Sequence, residues 1–157
     1  MLARDVNDFM PKHMVNLTQN ALKRTGTDLG DAKIALLGWA FTKNSGDVRD
    51  SPSEVCWAIL VQGGARVKIH DPYVSIYNNI PISNNLRDVV RDTDAIVIMT
   101  GHDEYAKLDP IELKALSGQD HPVIVDGRNV VSADEFIAHG FVYKGIGRGD
   151  KNEHALR

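Results

Sequence analysis

KIALLGWAFTKNSGDVRDSP, residues 33–52, decides the fold. Ile34 to Leu37 form a short apolar run of the kind buried on both faces at the centre of a parallel sheet. Gly38 permits a sharp turn at its end. Ser51 is a good helix N-cap, Pro52 suits the first helical position, and Glu54 follows the cap by three residues, so a capping box starts a helix at Pro52. Strand end and helix start are separated by about a dozen residues, against the roughly two to six usual in a βα connection, and loops of that length are functional or disordered. This one carries Lys43, Asp47, Arg49 and Asp50.

The flanking chain repeats the strand-then-helix theme. Upstream, Val6, Met10, Met14, Leu17 and Ala21 recur at helical spacing between Ala3 and Lys23, with a bend or restart expected at Pro11. No capping residue precedes this helix, a pattern that fits either a frayed native terminus or a chain cut from something longer. Downstream, Val55, Cys56, Ile59 and Leu60 give the capped helix an apolar stripe, closed by Gly63-Gly64. Further strands are expected over Ala65 to His70, Ala95 to Met99 and Val123 to Val125, with an edge strand over Phe141 to Ile146. Helices are expected over Leu86 to Arg91, Pro110 to Leu116 and Ala133 to His139, the last capped by Ser132. Tyr73 to Asn85, with three asparagines and Pro81, reads as an irregular excursion, and Gly147 to Arg157 as a loose charged tail.

A β-plus-α step of about thirty residues, repeated, predicts an α/β fold: a Rossmann-like doubly wound parallel sheet of about five strands, preceded by an N-terminal helix. Ligands in such sheets bind beyond the carboxyl ends of the strands. Those ends are Gly38 to Asp50, Asp71 to Tyr73, Thr100 to Glu104 and Asp126 to Asn129.

Composition narrows the function. The 157 residues suit one domain with a real core. A 43% apolar and 25% charged makeup is that of an ordinary globular protein, with no stretch suited to a membrane span. The net charge of −3, with no basic run, argues against a nucleic-acid binder. The lone Cys56 fits a reducing cytoplasm, and on the apolar stripe it reads as core filler. No secretory h-region is evident. Six scattered histidines, none at i, i+4 from another, do not suggest zinc; His102 can serve as an acid or base, although a solvated loop histidine is the plainer reading.

A dinucleotide site is the first candidate, but Trp39, Ala40 and Phe41 follow Gly38 where G-x-G-x-x-G needs further glycines. Asp71, at the end of the second strand, stands where an acid takes the ribose of NAD, a weak sign without those glycines. Arg49 and Arg128 each follow an aspartate by two positions, in loops that the topology brings to one edge. A guanidinium there suits phosphate or carboxylate, or simply ties the loops through Asp47 and Asp126.

GWAFTKNSGDVRDSP resembles the signature opening the C-terminal, UDP-binding domain of the UDP-glucose/GDP-mannose dehydrogenases. VKIHDPYV, TDAIVIMTGHDEY and VIVDGRNV resemble the later blocks of that family in order, and ARDVNDFMPKHMV looks like the end of its central helical domain, particularly in the UDP-N-acetylhexosamine branch. The resemblance implies the division 1–25 as the end of a linker helix, 26–149 as a nucleotide-sugar-binding domain and 150–157 as tail. It implies the C-terminal part of an NAD-dependent oxidoreductase that turns a UDP-sugar into its uronic acid for polysaccharide precursors. NAD and the catalytic cysteine would belong to parts without a match here, and the full-length enzyme would be a cytoplasmic homodimer. Phe41, Thr42, Lys43 and Arg128 would meet the nucleotide, while Gly38, Asp47, Arg49 and Ser51 would shape the loop. Thr42 stands where most members have lysine, and Lys43 is its candidate substitute. A stand-alone interaction module and a small self-sufficient reductase are the rival readings.

Overall fold

The computed structural model describes residues 2–48 and 51–146. Helix α1 (Leu2–Arg24) precedes strand β1 (Lys33–Leu37), helix α2 (Pro52–Gln62) and strand β2 (Arg66–His70). A short hairpin, β3 (Ile76–Tyr77) and β4 (Ile80–Pro81), leads to α3 (Leu86–Val90) and β5 (Ala95–Ile98). The chain ends in α4 (Pro110–Ser117), β6 (Val123–Asp126), α5 (Ala133–Ala138) and β7 (Val142–Gly145).

Five strands form one parallel sheet in the order β2-β1-β5-β6-β7. This is the doubly wound arrangement expected, with the order reversing between β1 and β5. Leu37 pairs with both His70 and Ile98, and Ile98 with Asp126, so the carboxyl ends lie in one row. That register puts Gly38, Asp71, Met99 and Gly127 along a single rim.

Alternate residues of each strand feed opposite layers, as strand geometry requires. Ile34, Leu36, Val97 and Val125 join Met14, Leu22, Cys56 and Leu60 under α1 and α2. Ala35, Leu37, Ile96, Ile98 and Ile124 join Val89, Leu113 and Phe136 under α3, α4 and α5.

Several expectations need correction. α1 runs through Pro11 without a break. On its apolar stripe Met14, Ala21 and Leu22 are fully buried, because α1 covers β6 and β7 beside α2. In α2, Cys56 and Leu60 face the core, whereas Val55 is 47% exposed, so the buried stripe is narrower than the sequence pattern. The excursion after β2 contains the β3–β4 hairpin. Asn78 and Asn79 both take positive φ, 46° and 65°, the pair required by a two-residue type I′ turn. The tail from 147 onward lies outside the described residues, as do Arg49 and Asp50.

Candidate nucleotide-binding cleft

Gly38 starts the rim with φ 98°, and a Cβ there would come within 2.5 Å of Thr100 Cβ. β1 and the β5 exit loop thus approach as closely as only glycine allows. Its backbone N–H donates to His70 O at 2.8 Å, extending the β1–β2 ladder by one bond.

The next residues are held by α2. Ser51 Oγ accepts from Ser53 N–H at 3.2 Å, the N-cap bond, and donates to Trp39 O at 2.6 Å. Ser53 Oγ donates to Gly38 O at 2.9 Å. The expected cap is therefore present, made to the N2 amide, and it ties the loop's root to the helix it precedes. Trp39 is fully buried, its indole against the rings of Trp57 and Tyr77 at centroid distances of 6.1 and 5.7 Å.

Asp71 organises the loop from the other side. Its Oδ2 accepts from Trp39 N–H at 2.8 Å, Ala40 N–H at 3.0 Å and His102 Nε2 at 3.0 Å; Oδ1 accepts from Tyr73 N–H at 2.7 Å. The carboxylate is wholly buried and engaged by these donors rather than turned outward to a ribose. His102 is also wholly buried, contrary to the solvated reading. Its Nδ1 accepts from Asn44 N–H at 2.7 Å. Asn44, at φ 56°, exchanges two further bonds with Asp103, Nδ2 to Oδ2 at 2.9 Å and Asp103 N–H to Oδ1 at 3.0 Å. Thr100 Oγ1 donates to Ala40 O at 2.6 Å, and Phe41 N–H to Asp47 O at 2.6 Å.

Between these fixed points Phe41, Thr42 and Lys43 form a short exposed arch. With Gly101, Arg128 and Val130 they line a cleft of about 420 Å³ beside the β1/β5 reversal. The four residues that resemblance marked for nucleotide contact are thus side by side. Asp126 caps its own loop, Oδ1 accepting from Arg128 N–H at 3.0 Å and Oδ2 from Val131 N–H at 2.9 Å. Arg128 donates through Nε to Met99 O at 3.1 Å, with Nη2 at 3.5 Å from Phe41 O. These bonds aim the guanidinium across the cleft and leave other N–H donors of its fork for a ligand. Among the described lining residues there are two cations and no carboxylate, a set suited to an anion. Of the loop-shaping residues, Gly38, Ser51 and Asp47 lie at the root and return of the loop, and Arg49 falls outside the described residues.

What sequence reasoning missed is the network that joins Asp71, Asn44 and His102. Their signals, Asp-Pro and His-Asp at strand ends and Asn-Ser-Gly in the loop, are common turn chemistry with no local sign of mutual contact. Farther in, His70 Nδ1 lies 2.9 Å from Tyr105 Oη; Nε2 has no hydrogen-bond partner among the described residues, and Glu104 Oε1 stands 4.0 Å away. Burial pulls the His70 pKa below the ordinary histidine value, with the Glu104 carboxylate opposing. Burial pushes the Cys56 thiol up to about 12, so it is a core group and no nucleophile.

Fold and cleft together define an open parallel α/β domain with a cation-lined cleft at its topological switch point. The family model described as the UDP binding domain of the UDP-glucose/GDP-mannose dehydrogenase family matches residues 35–133, and the chain belongs to that family. It is 33% identical to UDP-N-acetyl-D-mannosamine dehydrogenase of Pyrococcus horikoshii, over 95% of this chain and 33% of that protein. It is 34% identical to UDP-glucose 6-dehydrogenase of Rhizobium meliloti, over 92% of this chain and 33% of the relative. The crystal structure of NDP-N-acetyl-D-galactosaminuronic acid dehydrogenase from Methanosarcina mazei superposes with a TM-score of 0.93 at 52% identity, covering 98% of this chain and 32% of that one. The chain spans about a third of the length of these relatives. No helix among the described residues is long and apolar enough to cross a membrane.

Proposed function

We propose that this chain holds the nucleotide half of a UDP-sugar, as the C-terminal part of an NAD-dependent UDP-sugar 6-dehydrogenase acting in the cytoplasm on polysaccharide precursors. The observation that carries this reading is the convergence of Phe41, Thr42, Lys43 and Arg128 on one cation-lined cleft. Phe41 is 39% exposed and offers a ring face to the base. Arg128 and Lys43 would take the diphosphate, the former through its fork and the latter as a point charge. Lys43 then supplies the cation that Thr42 lacks.

In this reading residues 26–149 are the nucleotide-sugar domain and residues 1–25 its connection to the rest of a homodimeric enzyme. NAD, when bound, supplies the hydride acceptor. The residues here do not fit it: Trp39 fills the first turn with a buried indole, and Asp71 is spent on backbone amides. The chain by itself is then no dehydrogenase.

Calorimetric titration with UDP, GDP and their sugars tests the proposal. UDP or a UDP-sugar is expected to bind, and silence from all of them at millimolar concentration would sink it. Arg128→Ala is expected to weaken binding by about 1.5 to 3 kcal/mol, the worth of a charged hydrogen bond. Thr42, uncharged where the resemblance implies lysine, favours a second reading, an interaction module without ligand. Thermal shifts separate the cases: UDP, NAD or neither raises the melting temperature.

A further inference from the structure

The structure assigns His102 as a positioning residue for the cleft: locked in its Nε2-protonated tautomer between Asp71 and the Asn44 amide, it sets the arch that presents Phe41, Thr42 and Lys43. The assignment of a nucleotide to that arch rests on the function proposed above.

The tautomer follows from its partners. A backbone N–H can only donate, so Nδ1, 2.7 Å from Asn44 N, carries the lone pair. Nε2, 3.0 Å from a carboxylate oxygen, carries the proton. The ring has little room to turn. Tyr73 and Tyr105 stand against it at centroid distances of 5.1 and 5.6 Å, and both His102 and Asp71 are wholly buried.

The consequence lies in how the loop is hung. One end of the arch, Trp39 and Ala40, is bonded to Asp71 directly. The other end, Asn44, reaches the same Asp71 oxygen through His102. Both ends therefore register against one buried atom, and only three residues span the gap. An imidazole with its proton on Nδ1 would set donor against donor at Asn44 and release that end, although the sheet beneath would be untouched. A group that acts this way governs affinity without meeting the ligand.

The test combines spectroscopy with a graded variant series. Long-range 15N–1H spectra of the chain are expected to show His102 with Nε2 protonated and Nδ1 bare. His102→Asn, whose amide oxygen reaches the place of Nδ1, is expected to keep UDP affinity within about threefold, while His102→Gln and His102→Ala lose about tenfold, the loss of one hydrogen bond. Asp103→Ala removes the bond from Asn44 Nδ2 to the Asp103 carboxylate at an exposed position and leaves the Asp103 N–H bond in place. It is expected to weaken UDP several-fold with an unchanged melting temperature, which keeps the proposal testable where a His102 variant fails to fold. Hydrogen exchange supplies an arm independent of UDP: in His102→Ala the Asn44 amide should exchange about tenfold faster while the β1 and β5 amides hold. An Nδ1-protonated ring overturns the assignment, as do unchanged Asn44 exchange or wild-type affinity in both His102→Ala and Asp103→Ala. If the wild-type chain ignores UDP, the proposed function falls, and the tautomer and exchange results still judge His102.

Discussion

At Gly38 two requirements coincide on one atom. Its φ of 98° is strained for any L side chain, and the place a Cβ would occupy is already filled by Thr100. Gly38→Ala is expected to cost about 3 kcal/mol, combining backbone strain with overpacking. Urea unfolding reads the loss directly, and a midpoint equal to wild type would mean that the β1–β5 approach is looser than described. The expectation that Gly38 serves a turn was legible from its place after an apolar run. The contact with Thr100 was not, because 62 positions of chain separate the pair and no local pattern reports such a meeting. The same holds for Asp71 and His102, whose roles come from partners brought together by the sheet register.

Among the elements, α1 shows how packing overrides a pattern that is ambiguous in isolation. An amphipathic helix states that one face will be covered, and leaves open by what. Here its own sheet supplies the cover: Leu22 is fully buried beside Val123 and Val142 in the same core layer. Leu22→Ala is therefore expected to destabilise the whole domain by about 2 to 5 kcal/mol, as a core truncation does. A change under 1 kcal/mol in chemical denaturation, about the scale of a surface substitution, would show α1 to be a detachable appendage. The inner strands β1, β5 and β6 were readable because burial on both faces leaves apolar runs such as IALL and AIVI. The β3–β4 hairpin was not, since Ile76 and Tyr77 are too short a run to stand out and the turn chemistry of Asn78-Asn79 lies within a polar stretch.

For the molecule as a whole, the buried His70 links stability to acidity. Its folded-state pKa lies below the ordinary histidine value of about 6.5, so the unfolded chain binds more protons as pH falls past that point. The stability held above pH ~6.5 is expected to decline below it, with a slope from this group of at most about 1.4 kcal/mol per pH unit. Urea midpoints at neutral pH and near pH 5.5, with and without His70→Gln, check the sign; a variant that keeps the full slope would assign it to other groups.

The arch of Phe41, Thr42 and Lys43 has one more implication, for how such a domain can diversify. Its three side chains are exposed, and the anchors at Ala40 and Asn44 hold the backbone by groups outside the tripeptide. Replacing those side chains removes nothing from either core layer, so under the function proposed above recognition can drift by a few codon changes while the scaffold keeps its margin of stability. A threonine at position 42 with a lysine beside it is the kind of exchange that such a separation tolerates.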